Sequence, residues 1–126
     1  MHLLSAWLYI VASLRLVSVY IGIFQPWTLQ QRLFPLAPAE AGALYGRTFA
    51  TWTAATCVLT LATAYESPHP RSGLFLACLA SFVLALSHFT SELLWHGTMT
   101  VASAVSPFFV ATLSTLWMGW LVAAAA

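Results

Sequence analysis

Apolar residues run along this chain in four long blocks, each closed by proline, charge or a polar cluster. Crossing the roughly 30 Å hydrocarbon layer of a bilayer takes about 20 helical residues at about 1.5 Å each. The blocks have that length, at about 3–24, 46–65, 73–95 and 101–122. The first ends at Gln25-Pro26-Trp27, where proline stops a helix and tryptophan suits the membrane interface. The second opens over Ala43 to Arg47 and closes at Tyr65-Glu66-Ser67-Pro68. The third follows Pro70-Arg71-Ser72-Gly73, and the fourth carries Pro107 in its first turns and Trp117 and Trp120 near its far end. Spanning β-strands would alternate in ten-residue segments, and these continuous runs exclude them.

Short connections at 66–72 and 96–100 imply antiparallel sequential neighbours. The expected fold class is therefore all-α: an integral membrane four-helix bundle forming a single four-span domain, 1–126. Its one longer loop, 25–42, holds Pro26, Pro35 and Pro38 together with Trp27, Leu29, Leu33, Phe34 and Leu36. That pattern predicts a short amphipathic piece along the headgroup layer, with the prolines limiting any helix. Met1-His2 carries no positive charge, and the first apolar run is too long for a signal core and has Arg15 inside it. The reading is a retained first helix.

Composition sharpens the choice of solvent. Of 126 residues, 61% are hydrophobic and only 6% charged, against about 25% charged in soluble domains. The net charge of +1 is too small to hold phosphate backbones, so nucleic acid is not an expected partner. Cys57 and Cys78 lie inside apolar runs without metal or disulfide spacing and read as core thiols. Because lipid tails are as apolar as leucine, the helices must associate through close packing and hydrogen bonds. Small residues recur every fourth position at Gly42, Gly46, Ala50 and Ala54, at Ala77, Ser81 and Ala85, and at Ala111, Thr115 and Gly119. The threonines at 48, 51, 53, 56, 60 and 63 can return their hydroxyls to the preceding turn.

Ionisable residues at membrane depth are expensive and need partners. Arg15 falls midway along the first span, Arg47 near the start of the second and Glu92 near the end of the third. An antiparallel hairpin puts Arg47 and Glu92 at similar depth, which predicts an ion pair. His88 shares a helix face with Glu92 at i, i+4, and Ser91 lies beside that stripe. The expectation is a structural or partner-docking polar cluster of Arg15, Arg47, Trp52, His88, Ser91 and Glu92. No nucleophile and base pair, phosphate loop or metalloprotease motif occurs, and the sequence contains no aspartate for a carboxylate dyad. His2, His69 and His96 sit at ends or loops, so no second haem ligand matches His88 in depth. The reading is of a protein that is not an enzyme, with no catalytic residue, no cofactor and no metal.

Two stretches, Gly46-Arg47-Thr48-Phe49-Ala50-Thr51-Trp52-Thr53 and Ala85-Leu86-Ser87-His88-Phe89-Thr90-Ser91-Glu92-Leu93, resemble the ergosterol biosynthetic protein 28 family. The resemblance extends through Ala6-Trp7-Leu8 and Ser106-Pro107. It implies a non-catalytic scaffold of the endoplasmic reticulum membrane that gathers the sterol C4-demethylation enzymes: the oxidase, the dehydrogenase that decarboxylates, and the ketoreductase. Contact with lipid, including sterol, would accompany that role. Arg47, Trp52, His88 and Glu92 match motif positions, to which the family attaches no catalytic role. The alternative on the same fold is a small accessory subunit of a larger energy-converting or transport complex, in an organellar inner membrane.

Overall fold

A computed structural model describes residues 2–126; Met1, which heads the expected domain and its uncharged leading pair, lies outside them. The described chain is all-helical: α1 His2–Phe24, α2 Pro26–Leu33, α3 Ala43–Tyr65, α4 Gly73–Leu94 and α5 Val101–Ala124. The four long helices coincide with the four apolar blocks. Each has 22 to 24 residues, enough at about 1.5 Å per residue to match the hydrocarbon layer.

The short amphipathic piece expected in the connection 25–42 is the eight-residue helix α2. Pro26 occupies the first helical turn, where its missing N–H costs nothing, and Pro35 and Pro38 fall after the last turn. The prolines thus limit the helix to eight residues. The turn between α4 and α5 bends at Gly97, whose φ of +63° is open to glycine without strain. Thr100 and Ser103 then form a reciprocal capping box that starts α5, each side chain accepting the other's backbone N–H at 3.1 and 3.0 Å.

Helices α1 and α3 pack along their whole length, antiparallel, and their closest approach explains part of the small-residue pattern. A Cβ built on Gly22 would stand 2.6 Å from the Gly46 carbonyl oxygen, and one built on Gly46 would stand 2.5 Å from that of Gly22. Ala50 flanks the same crossing. Such backbone contact is how helices associate in lipid without a hydrophobic driving force. The Cys57 thiol donates to the Ala12 carbonyl at 3.4 Å; both cysteines are free and buried.

Side chains fill the bundle in two clusters. Leu4, Leu8, Val11, Phe75, Cys78, Phe82 and Met118 pack toward the end where α1 begins. Leu29, Phe34, Phe49, Phe89, Met99 and Ala104 pack toward the end that carries α2. The outer faces stay apolar, with Ile10, Leu16, Val17, Val58, Leu84, Phe109 and Leu116 exposed. Exposed aromatic residues mark both ends, Tyr65 and Trp120 at one and Trp27 and Trp95 at the other, as in the aromatic belts of membrane proteins.

Three of the long helices, α1, α4 and α5, are apolar enough as well as long enough to cross a membrane. Helix α3 has the length without the same apolarity, because Arg47 and six threonines lie on it.

Candidate functional site

Arg15 sits near the middle of α1, between the two apolar clusters, and is half-buried. Its Nη1 donates to the Thr60 hydroxyl at 2.6 Å and to the Thr56 carbonyl at 2.9 Å, both on α3. Its guanidinium carbon stands 4.4 Å from the centre of the Phe82 ring on α4. Inserting such a charge at membrane depth costs about 2.5–3.5 kcal/mol. Hydrogen bonds from a charged donor are each worth about 1.5–3 kcal/mol, and the cation–π contact adds about 0.5–2 kcal/mol. These contacts, and not a counter-ion, are the partners of Arg15 among the described residues.

The remaining face of Arg15 borders a cavity of about 500 Å³. Helices α1 and α5 converge at Trp7, whose Nε1 donates to Ser114 Oγ at 2.9 Å and whose ring meets Phe109 edge-on. Past that contact they part. The gap is walled by Val11, Ile21, Trp52, Phe82, Phe89 and Val110, and floored by Leu29 and Leu33 of α2. Exposed Leu14 and Val17 on one side and Ser106 on the other form its rims. Arg15 and Arg32 are the charged residues among those lining it, and no carboxylate is among them.

The six residues expected to form one polar cluster are distributed over separate environments. Arg15 turns to Thr56, Thr60 and Phe82. Trp52 and His88 do meet, their rings 6.0 Å apart and nearly perpendicular, with Phe34 packing on His88 from the α2 side at 6.5 Å. Ser91 returns its hydroxyl to the His88 carbonyl at 2.8 Å. Glu92 accepts from the Thr98 hydroxyl at 2.6 Å, and the Thr98 backbone N–H reaches the Glu92 carbonyl at 3.0 Å. Leu36 in turn donates to the Thr98 carbonyl at 3.3 Å, which ties the first connection to the last.

Arg47 is exposed on the outer face of α3. Among the described residues the expected Arg47–Glu92 ion pair is not formed, and Thr98 takes the place of the arginine. The two residues do lie at the same end of the bundle, in the second turn of α3 and the last turn of α4, but Arg47 projects from an exposed face while the Glu92 carboxylate turns to Thr98. Thr98, Thr56, Thr60 and Phe82 are the partners that sequence reasoning did not assign. Among the described residues no three His, Cys, Asp or Glu side chains converge as metal ligands.

The cavity, the crossing and both motif stretches fall within one region of recognisable ancestry. The family profile described as "Erg28 like protein" matches residues 4–116. The chain belongs to the Erg28 family. It is 39% identical to the ergosterol biosynthetic protein 28 of Arabidopsis thaliana over 118 residues, covering 94% of this chain and 88% of the relative. Against the Saccharomyces cerevisiae protein of the same name the identity is 31% over 110 residues, covering 86% and 71%. Against the Homo sapiens homologue it is 30% over 119 residues, covering 94% and 84%. No solved structure matches the chain. Every residue lining the cavity, from Val11 to Ala111, lies inside the Erg28 match. By name, these relatives act in ergosterol biosynthesis.

Proposed function

We propose that this protein is a non-catalytic scaffold in sterol biosynthesis that crosses the membrane four times and holds the C4-demethylation enzymes together. The observation that carries the reading is family membership over nearly the whole chain, joined to a structure rich in exposed apolar surface and poor in reactive groups. The outer faces of α1 and α5 offer large apolar surfaces to neighbouring membrane helices. Exposed Arg32 and Arg47, with Trp27 and Trp95, mark one rim as a docking edge for partner loops.

Helix α3 supplies the fourth crossing in this reading. It lies antiparallel against the equally long α1 through the Gly22–Gly46 contact, and five of its threonines bond carbonyls of the preceding turn. A helix so satisfied can sit in lipid despite its composition. The expected home is the endoplasmic reticulum membrane, and the expected partners are the C4-methyl oxidase, the decarboxylating dehydrogenase and the 3-keto reductase. The alternative of an accessory subunit in an energy-converting or transport complex is not favoured by relatives named for ergosterol biosynthesis.

Purification of the tagged protein from native membranes in mild detergent, followed by mass spectrometry, tests the proposal. Recovery of the three sterol enzymes is expected. Recovery of respiratory or transport subunits in their place would refute it.

A further inference from the structure

The cavity between α1 and α5 joins two features that seldom meet by accident in a membrane helix bundle. Its walls are mainly apolar, and they include a guanidinium, that of Arg15, with no carboxylate among the lining residues. Arginine has five N–H donors in a fixed fork. Two hydrogen bonds engage Nη1, leaving Nε and Nη2 without a hydrogen-bond acceptor among the described residues. The anchoring by Thr56, Thr60 and Phe82 fixes the fork's orientation before any ligand arrives, which is the condition for selective recognition of a planar acid group. Arg32 contributes a second positive charge from α2 at the cavity's edge.

We propose that this cavity binds an acidic amphiphile: a carboxylate meets the free donors of Arg15, and an apolar body lies between α1 and α5. The volume of about 500 Å³ falls in the range of small-molecule sites, roughly 300–1,000 Å³. The exposed rims at Leu14, Val17 and Ser106 open it toward the lipid-facing surface, so a ligand enters sideways from the bilayer without crossing water. The inference rests on the membrane location of the protein and is independent of its scaffold role. A sterol acid and a fatty acid share the required chemistry, and binding measurements separate them.

The test uses the full-length protein in nanodiscs of neutral lipid, titrated with cholesteryl hemisuccinate, oleate and uncharged cholesterol. Both acids are expected to bind more tightly than cholesterol. Preference for the hemisuccinate identifies a ring-shaped body, and preference for oleate a single chain. Arg15→Gln is expected to weaken the acids about tenfold or more, the loss typical of a charged hydrogen-bonded pair, while leaving cholesterol unchanged. Ser106→Trp, which fills the entrance without touching Arg15, is expected to weaken both acids to a similar degree and decides the matter should the arginine variant fail to fold. Equal affinity for cholesterol and the acids, or undiminished acid binding by Ser106→Trp, would overturn the proposal.

Discussion

Arg15 is held by neutral groups, and that fixes how its removal should register. Replacing a buried charge by an apolar side chain of similar length is often neutral or stabilising, because the desolvation cost leaves together with the bonds. Thr60 keeps its own bond to the Thr56 carbonyl at 2.7 Å, so no buried hydroxyl is stranded. Arg15→Met is therefore expected to leave the melting temperature in detergent unchanged or raised; a fall equivalent to more than about 2 kcal/mol would make the arginine a structural strut. Glu92 behaves differently, since its carboxylate secures Thr98 and with it the turn joining α4 to α5. Glu92→Leu should cost about 1–3 kcal/mol, the usual loss for an unmade buried hydrogen bond. Combined with Arg47→Gln in a double-mutant cycle, the two changes should be additive within about 0.5 kcal/mol. A larger coupling would restore the ion pair that the sequence suggests.

Among the elements, α1 and α3 depend most directly on a single contact. At the Gly22–Gly46 crossing each backbone lies where a side chain of the other would begin. Gly46→Val should force the helices apart and destabilise the protein by about 1–3 kcal/mol, read as earlier melting and faster proteolysis. If Gly46→Val melts with the parent, the helices do not meet there. The periodicity of small residues marked the α3 side of this seam but not Gly22 opposite it, while the lengths and ends of the four long helices were legible. Rotation of each helix about its axis was not legible, because lipid and bundle core are both apolar and neither face of such a helix is marked by polarity. That is why Arg15 could be recognised as deep while Thr60 and Phe82 could not be named as its partners. One signal was present: Arg15 precedes Gly22 by two turns, and Thr53 follows Gly46 by two turns, so the crossing sets the register that brings the arginine to the threonine face. The same ambiguity hid the cavity, which depends on where α1 and α5 part.

At the scale of the whole molecule, the aromatic rims and the apolar outer surface describe a body built for lipid. Four crossings require both termini to face one compartment. A cysteine placed at His2 and one placed at Ala126 should then react with an impermeant thiol reagent from the same side of sealed vesicles, whereas labelling from opposite sides would remove α3 from the membrane. In the scaffold proposal the protein promotes sterol C4-demethylation by assembly, without chemistry of its own. The most direct test is reconstitution of the oxidase, dehydrogenase and reductase at low density in liposomes, with and without this protein, following conversion of a 4-methyl sterol. Adding the protein is expected to raise complete demethylation several-fold and to reduce release of partly processed sterol, while the protein alone is expected to convert nothing. Unchanged flux, or turnover by the protein in the absence of the three enzymes, would contradict the proposal.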